Sequence, residues 1–379
     1  MKELRVPVTE RRRITRNRIY NLIYESRLPL SKLEISQTLG LSLPTVYQNI
    51  TELLNAGLIE VGQVQRSRGG RRPVGYSVVS NVKFAVGISI TAGKLRFLAS
   101  DLKLKELAYK NIAIESFESE DIGKQVAKEL EKFLDANRLH RNRMLGVGIT
   151  MPAVMDEEKD EVKLSPTLRM HNISLSTIRE PIPYTTHIEN DGNSGGFAEW
   201  FESRHTVGSN IAYLYLENGV GGTVFINGAQ YFGENKRSGE FGHMCVEPNG
   251  LLCNCGKRGC LEAYCSALRI SKKLGITVEE FFNELKKGNN VDYQVLWQDV
   301  LEHLAIGINN IHVMLDCDII LGGFLSQYLE PYMPELKRLV AEKDTFEDNA
   351  DYVKLCRYPH RADMMGVAWY YIKDYIEKI

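Results

Sequence analysis

The sequence predicts an α/β protein in which a small, basic winged helix-turn-helix precedes a larger two-lobed α/β domain. In the first sixty residues, apolar side chains recur at helical spacing, and two short alternating strands follow them. Past residue 80, strand-like runs alternate with helical segments, which is typical of α/β folds. The chain has 379 residues, more than one hydrophobic core usually organises, so at least two domains are expected.

Charge is distributed unevenly along the chain. Residues 1–80 contain 13 Lys and Arg against 6 Asp and Glu, whereas the whole chain has a net charge of −1. A basic head on an acidic body indicates a nucleic-acid-binding module, although a solvated basic face is the plainer alternative.

The hydropathy of the chain and the positions of its cysteines indicate the cellular compartment in which the protein is expected. The chain contains no run of about 18 apolar residues, and its first residues are polar and basic, which argues against a membrane span or a secretory signal. Five of the seven cysteines fall between Cys245 and Cys265, a clustering that favours metal binding over a disulfide scaffold. We therefore expect a cytoplasmic protein.

Three helices are predicted before residue 58. Ser31 and Ser42 are placed to cap the second and third helices, and Gly40 and Gly57 end them. This is the helix-turn-helix arrangement, whose last helix enters the major groove of DNA. We expect the base-reading side chains at exposed positions of this helix, namely Thr45, Tyr47, Gln48 and Asn49.

Two predicted strands, at 58–61 and 74–77, flank a glycine-bearing arginine segment. Such a wing can follow a phosphate backbone or enter the minor groove. The arginines expected to contact double-stranded DNA there are Arg66, Arg68, Arg71 and Arg72. The alternative is a three-helix bundle with a basic surface and no role in binding DNA.

The segment 240–262 carries a metal-ligand pattern. His243, Cys253, Cys255 and Cys260 supply one imidazole and three thiolates, which is the donor set of a tetrahedral structural zinc site. Four protein ligands leave no position for a reactive water, so the expected Zn²⁺ is structural. Chance clustering of free cysteines is the alternative, and Cys245 and Cys265 could compete for ligand positions.

The same segment resembles the signature of the ROK family, which contains repressors, open reading frames and sugar kinases. The resemblance is most specific in the run Gly239 to His243 and the run Cys253 to Glu262. The segments 189–193 and 219–228 are similar to the family's sugar-binding motif and glycine-rich hairpin. Because the repressor branch also carries a winged helix-turn-helix, the resemblance covers about residues 13–375.

The resemblance implies a sugar kinase/actin-like (ribonuclease H-like) fold and a sugar bound in the cleft between its lobes. The implied sugar-binding residues are Asn190, Asp191, Glu240, His243 and Glu262. The domain division that we expect is a DNA-binding domain at 1–80, a first lobe at 81–190 joined by the C-terminal helix 362–379, and a second lobe at 191–361 that carries the zinc loop and the dimerisation surface.

The nucleotide side departs from the family pattern. Ser89 stands where the kinases have an aspartate, and their phosphate-loop glycines correspond to Thr91 and Ala92. Glu217 and Phe324 occupy two further positions that contact nucleotide in the kinases. Since a carboxylate repels a triphosphate, we expect no ATP binding and no enzymatic activity.

These expectations combine into a sugar-responsive transcriptional regulator that acts as a repressor of carbohydrate-utilisation genes. It would bind a DNA operator as a homodimer or homotetramer and respond to a hexose-type effector. The first alternative is an ATP-dependent, glucokinase-like sugar kinase with a DNA-binding head, in which Asp191 would be the catalytic base. The second is a DNA-binding scaffold without a ligand.

Overall fold

The N-terminal part of the computed structural model is a winged helix-turn-helix, as predicted. The structure describes residues 8–62, 74–114, 122–156, 158–165, 167–204 and 207–379. The elements of this part are α1 Val8–Glu25, β1 Leu30–Ser31, α2 Lys32–Leu39, α3 Leu43–Asn55, β2 Ile59–Gly62 and β3 Gly75–Val78. The strands pair in the order β1-β3-β2. The predicted wing tip, with Arg66, Arg68, Arg71 and Arg72, lies outside the described residues.

Local capping explains where the second and third helices begin. The Ser31 side chain accepts a hydrogen bond from the Glu34 amide, and the Glu34 carboxylate accepts one from the Ser31 amide, forming a capping box. Ser42 caps α3 through the Thr45 amide, with a proline in the first turn. Ile35 and Ile50 are fully buried between the helices. Both predicted caps are therefore confirmed.

The rest of the chain forms two lobes, each built on a five-stranded sheet, which confirms the predicted α/β class. The elements of the first half are β4 Phe84–Thr91, β5 Lys94–Asp101, β6 Glu106–Ala113, α4 Ile122–Ala136, β7 Met144–Met151, β8 Val154–Asp156, β9 Glu161–Ser165, β10 Met170–Ser174, α5 Leu175–Arg179 and β11 Thr186–Asn190. The second half contains α6 Asp191–Ser203, β12 Ile211–Leu216, β13 Val220–Ile226, β14 Ala229–Tyr231, α7 Leu261–Cys265, α8 Ala267–Leu274, α9 Val278–Lys287, α10 Val291–Leu315, β15 Asp318–Gly322, α11 Met333–Ala341, β16 Val353–Leu355 and α12 Ala362–Glu377.

The two sheets have the same strand order and the same mixed architecture. The first sheet has the order β11-β7-β4-β5-β6. In it, β4, β7 and β11 are parallel, β5 is antiparallel to β4, and β6 is antiparallel to β5. The second has the order β14-β13-β12-β15-β16, with β12, β15 and β16 parallel. We call the opening between the two lobes the interlobe cleft. A small sheet, β10-β9-β8, was not predicted.

Helix α12 packs directly on the first sheet because glycines leave room for its backbone. A Cβ added at Gly87 of β4 would lie 2.0 Å from the Met364 carbonyl oxygen. A Cβ at Gly366 would lie 1.8 Å from the Ser194 carbonyl oxygen of α6, so α6 and α12 also touch through backbone. Close approach of this kind requires glycine.

The C-terminal end of α12 is also bonded to α1 of the helix-turn-helix. The Arg16 Nε donates to the Ile379 carbonyl at 2.8 Å, and the Asn17 side-chain amide donates to the Ile376 carbonyl at 2.6 Å. Trp369 lies beside Tyr24, with 6.4 Å between the ring centroids. The DNA-binding module and α12 therefore share one apolar core.

Helix length and hydropathy were also compared with the requirements of a membrane span. Within the described residues, no helix is both long and apolar enough to cross a bilayer.

The contact between α6 and α12 predicts a stability effect. We expect Gly366→Ala to lower the free energy of unfolding by about 1–3 kcal/mol, because the methyl group would overlap the Ser194 backbone. Urea unfolding followed by circular dichroism measures this change. Gly208→Ala is the matched control, since its added Cβ would lie 3.8 Å from its nearest neighbour. Equal midpoints for the two variants would contradict the packing argument.

Candidate functional site

The four predicted metal ligands converge in the structure. The donor atoms of His243, Cys253, Cys255 and Cys260 all lie within 4.8 Å of one another. The Cys253 Sγ is 3.9 Å from the His243 Nδ1, and the Cys255 Sγ is 3.7 Å from the Cys260 Sγ. One imidazole and three thiols at these separations form a cluster that could hold a metal ion.

Glycines shape the loop that carries these cysteines. Gly256 and Gly259 have φ values of 83° and 81°, a region that residues with a side chain rarely adopt. A Cβ at Gly259 would also lie 1.9 Å from the Glu247 carbonyl oxygen. The Cys253 amide donates to the Lys257 carbonyl at 2.8 Å, which closes the turn and brings the sulfur atoms to one side.

The two other cysteines of this region do not join the cluster. Among the described residues, Cys245 is exposed and outside the four-residue group, while Cys265 is buried with its thiol directed at the Val300 carbonyl, 3.6 Å away. The competition that the sequence left open is therefore not seen in this geometry.

His243 lies between the cysteine cluster and Glu240. Its Nδ1 faces Cys253, while its Nε2 lies 3.9 Å from the Glu240 carboxylate on the other side of the ring. The imidazole and Glu240 side chains are 43% and 49% exposed, so both can reach a ligand. One ring thus has one nitrogen toward the cluster and the other toward solvent and a carboxylate.

Glu262 connects the cysteine loop to the turn between β12 and β13. Its Oε2 accepts a hydrogen bond from the Val220 amide at 3.1 Å, and its Oε1 lies 3.7 Å from the Cys253 Sγ. A Cβ at Gly219 would lie 2.8 Å from the same carboxylate. The carboxylate is therefore held in place by backbone and by the metal-ligand loop.

Asn190 and Asp191 lie at the junction of β11 and α6. The Asn190 Oδ1 accepts from the Asn193 amide at 3.0 Å, so Asn190 rather than Asp191 caps the helix. Asp191 is 6% exposed, and its Oδ1 accepts from the Gly192 amide at 2.9 Å. Burial, and then the neighbouring carboxylates of Asp363 and Glu217, raise the pKa of Asp191 to about 7.

Strand β13 separates this junction from the group formed by Glu240, His243 and Glu262. A Cβ at Gly192 would lie 3.6 Å from the Gly222 nitrogen, and a Cβ at Gly222 would lie 2.6 Å from the Phe241 ring. Because Gly192 and Gly222 have no side chains, the start of α6 and the turn at 241–243 can both pack closely against β13. The assignment of the five sugar-binding residues stays a prediction.

Next to Ser89, which stands where the family's kinases have an aspartate, Arg96 and Asp363 form a buried ion pair. The Arg96 guanidinium donates to the Ser89 Oγ at 2.7 Å, to the Asp363 carboxylate at 3.0 Å and to the His360 carbonyl at 3.0 Å. Thr150 Oγ1 donates to the same carboxylate at 3.3 Å. Arg96 and Asp363 are 7% and 2% exposed, so the pair is shielded from solvent.

Glu217 is also incorporated in the protein interior. Its Oε2 accepts from the Phe324 amide at 2.8 Å, and burial raises its pKa. Two of the sequence departures, Glu217 and Phe324, are therefore bonded to each other across the end of the second sheet.

The sequence interpretation did not identify Arg96, Thr150, His360 or Asp363. One signal was available for Arg96, because a cation stands between the apolar Leu95 and Phe97 within a strand. A buried charge needs a partner, but that partner lies 267 residues away on α12, and nothing in the local pattern identifies it.

Three of the four predicted base-reading residues have accessible side chains on α3. Tyr47 and Gln48 are exposed, and Thr45 is partly buried with its hydroxyl bonded to Ser42. The Lys32 ammonium lies 3.1 Å from the centroid of the Tyr47 ring, which limits the positions available to that ring.

Asn49 requires a correction. The sequence analysis placed it among the exposed positions of α3, but it is 7% exposed and its amide donates to the Thr45 carbonyl at 2.8 Å. The expectation of exposure is wrong because Asn49 lies on the same face of the helix as Val46 and Leu53, which are fully buried. We remove it from the candidate DNA-contacting set.

Two family models match the chain. One, described as the ROK family, matches residues 85–374, and the other, described as winged helix-turn-helix DNA-binding, matches residues 12–60. The chain is 29% identical over 291 residues to the xylose repressor of Bacillus subtilis, covering 75% of each protein. It is 24% identical over 271 residues to the DNA-binding transcriptional dual regulator NagC of Escherichia coli, covering 71% of this chain and 65% of that protein.

Solved structures show the same fold. A ROK family transcriptional regulator, described as a homolog of the E. coli MLC protein, aligns with a TM-score of 0.73 at 22% identity and covers 97% of each chain. A ROK family glucokinase from Streptomyces griseus, solved with glucose and AMPPNP, aligns with a TM-score of 0.62 at 19% identity over 76% of this chain and 98% of that one.

The burial of Asp191 predicts a pH-dependent stability. Its pKa is about 7 in the folded chain but close to the ordinary value of about 4 in the unfolded chain, so its contribution to stability falls as pH rises from 4 to 7. The side chain in Asp191→Asn does not ionise, so this variant does not lose that stability as the pH rises. We therefore expect its Tm, relative to the unsubstituted chain, to be higher at pH 8 than at pH 4.5. Asp348→Asn, at an exposed position, controls for the change in net charge. A Tm difference for Asp191→Asn that does not change with pH would refute the shift.

Proposed function

The chain belongs to the ROK family, and from this premise we propose that it is a sugar-responsive repressor that binds a DNA operator and holds a hexose-type effector in the interlobe cleft. One observation carries the proposal. The side chains of Glu240 and His243, which can bind hydroxyl groups, are accessible, while the buried Arg96–Asp363 pair lies beside Ser89, which stands where the family's kinases have an aspartate. The expected domain boundaries, 1–80, 81–190 with 362–379, and 191–361, are part of the same proposal.

The proposed sugar site consists of Asn190, Asp191, Glu240, His243 and Glu262. Carboxylates accept hydrogen bonds from sugar hydroxyls, and an amide both donates and accepts, so these groups can fix the orientation of a ring. Glu262 already accepts from the Val220 amide through one oxygen, so backbone and ligand would share the carboxylate. Support comes from relatives whose names include xylose repressor and N-acetylglucosamine repressor.

We propose that the cysteine cluster binds a structural Zn²⁺ through His243 Nδ1 and the thiolates of Cys253, Cys255 and Cys260. The donor set and the separations of at most 4.8 Å fit tetrahedral coordination. When bound, the ion would supply folding free energy to the loop and no open coordination position. It would also fix the His243 ring with its Nε2 toward Glu240, where a sugar hydroxyl would lie.

A sugar kinase remains the rival function, because Asp191 stands where the family's kinases have their catalytic base. The buried pair between Arg96 and Asp363 and the partly buried Glu217 carboxylate argue against this rival. A triphosphate would have to displace or lie beside these carboxylates, and no sequence element here supplies the missing phosphate-loop glycines.

In this proposal, α12 transmits the effect of sugar binding to the DNA-binding module. Its first turn carries Asp363, which is bonded to Arg96 beside the cleft, and its last residues are bonded to Arg16 and Asn17 of α1. A sugar that binds a closed cleft more tightly than an open one would shift α12 and thereby the placement of the DNA-binding module. In a homodimer or homotetramer, this would change the spacing of two recognition helices relative to two half-sites.

The wing arginines predict a salt-dependent effect. We expect Arg71→Ala combined with Arg72→Ala to weaken operator binding across sequences and to reduce the slope of log K against log salt by about 2, since each phosphate contact contributes about 0.9. Fluorescence anisotropy at several salt concentrations measures the slope. Arg338→Ala combined with Lys343→Ala, on and just after α11, removes the same charge from the second lobe. An unchanged slope in the wing variant would exclude these residues as phosphate contacts.

The zinc proposal is tested by comparing two cysteines. We expect Cys255→Ser to lose about one equivalent of bound zinc per chain and to unfold at a lower temperature, because a ligand is removed. Cys245→Ser is the control, since Cys245 is also exposed but lies outside the cluster. Elemental analysis of the purified chains gives the metal content. Equal zinc content in both variants would contradict the assignment.

The sugar site is tested by Glu262→Gln. We expect unchanged operator affinity and a loss of at least tenfold in sensitivity to the effector sugar, because a charged acceptor for hydroxyl groups is replaced by a neutral amide. Operator release is followed by anisotropy during sugar titration. Glu247→Gln changes another carboxylate near the same loop and should respond normally. A full response in Glu262→Gln would show that the site is misplaced.

A further inference from the structure

A second cavity lies outside the proposed sugar site, on the outer side of α6. It encloses about 360 Å³ and is bounded by the end of β11, by α6, by β14 and by α12. This volume is within the range of about 300–1,000 Å³ that is typical of small-molecule sites. None of the five proposed sugar-binding residues lines it.

Aromatic side chains form one side of the cavity. The rings of His187 and Tyr370 stack in parallel, with centroids 4.0 Å apart and planes inclined by 6°. Tyr370 is 52% exposed, so its ring is available to a ligand. Trp369 also lines the cavity, and its buried indole N–H has no hydrogen-bond partner among the described residues. A flat ring with polar neighbours is a suitable surface for the apolar face of a pyranose.

Polar groups line the rest of the cavity from several elements. Glu189 comes from β11, Asn193 from α6 and Gln230 from β14. The face of α12 adds Lys373, followed by the carboxylates of Asp374 and Glu377. Amides, carboxylates and an ammonium group around an aromatic surface can satisfy several hydroxyls at once.

The charge of the lining restricts the ligand. Three carboxylates, those of Glu189, Asp374 and Glu377, line the cavity together with one ammonium, that of Lys373, which lies 3.8 Å from Glu377. Asp374 is paired at 2.6 Å with Lys378, which is outside the lining, so the group keeps one carboxylate more than its ammonium groups. A phosphate group would be repelled by this excess of negative charge, whereas a neutral polyhydroxyl ligand would not. We propose that this cavity is a second carbohydrate site, separate from the interlobe cleft, that takes an unphosphorylated mono- or disaccharide.

The position of the cavity gives the site a regulatory consequence, which depends on the proposed function. Glu377 lines the cavity, and its backbone carbonyl accepts a hydrogen bond from Arg13 of α1 at 3.3 Å. The neighbouring Ile376 carbonyl accepts from Asn17. A sugar held against this end of α12 would therefore contact the turn whose backbone carbonyls accept hydrogen bonds from α1 of the DNA-binding module.

The test uses the full chain with the cleft site disabled by Glu262→Gln. D-Xylose, D-glucose, N-acetyl-D-glucosamine and maltose are titrated, with D-glucose 6-phosphate as the charged comparison, and binding is followed by saturation-transfer NMR and tryptophan fluorescence. We expect at least one neutral sugar to bind and the phosphate ester to bind at least tenfold more weakly. Adding Tyr370→Ala should weaken the neutral sugar at least tenfold.

Tyr231→Ala is the matched control, because Tyr231 is also 52% exposed and follows Gln230 on β14 but does not line the cavity. It should leave binding unchanged. The proposal is overturned if no neutral sugar of the panel binds the Glu262→Gln chain, or if Tyr370→Ala leaves binding intact. Failure of the cleft proposal would appear differently, as identical titrations of the unsubstituted and Glu262→Gln chains.

Discussion

The buried ion pair between Arg96 and Asp363 is the interaction on which the organisation of this chain depends. It joins the middle of the first sheet to the first turn of α12, and both charges are almost fully shielded from water. A buried charge without a partner is strongly unfavourable, so each residue requires the other and α12 must remain seated on the sheet. Arg96 also donates to the Ser89 Oγ and the His360 carbonyl, and Thr150 donates to the Asp363 carboxylate, while the buried Arg96 Nε has no hydrogen-bond partner among the described residues.

Helix α12 connects this ion pair to α6 and to the DNA-binding module. Glycines on β4 and within α12 itself bring the helix into backbone contact with the first sheet and with α6. The far end of the helix is bonded to α1 and shares its apolar core. A rigid element with one end beside the cleft and the other end on the DNA-binding module is a physical connection between two sites about 16 residues of helix apart.

Much of this arrangement could be predicted from sequence because its determinants are local. The caps of α2 and α3 depend on residues three positions apart, and the metal-ligand loop depends on cysteines and glycines within twenty residues. The small sheet β10-β9-β8 was missed because its strands are only three to five residues long, and only Glu161–Ser165 alternates polar and apolar residues. The burial of Asn49 was missed because a polar side chain can satisfy itself on the preceding turn of its own helix. The partner of Arg96 could not be predicted, since it is set by the tertiary fold and not by spacing.

In the proposed function, the same cleft combines groups suited to sugar hydroxyls with groups that oppose a polyphosphate. Isothermal titration calorimetry of the zinc-loaded chain with Mg-ATP, in the presence and absence of the effector sugar, tests this combination most directly. The account predicts no saturable heat from Mg-ATP and no phosphorylated sugar in the recovered sample. Saturable binding of Mg-ATP, accompanied by transfer of its terminal phosphate to the sugar, would contradict it and restore the kinase as the function of this chain.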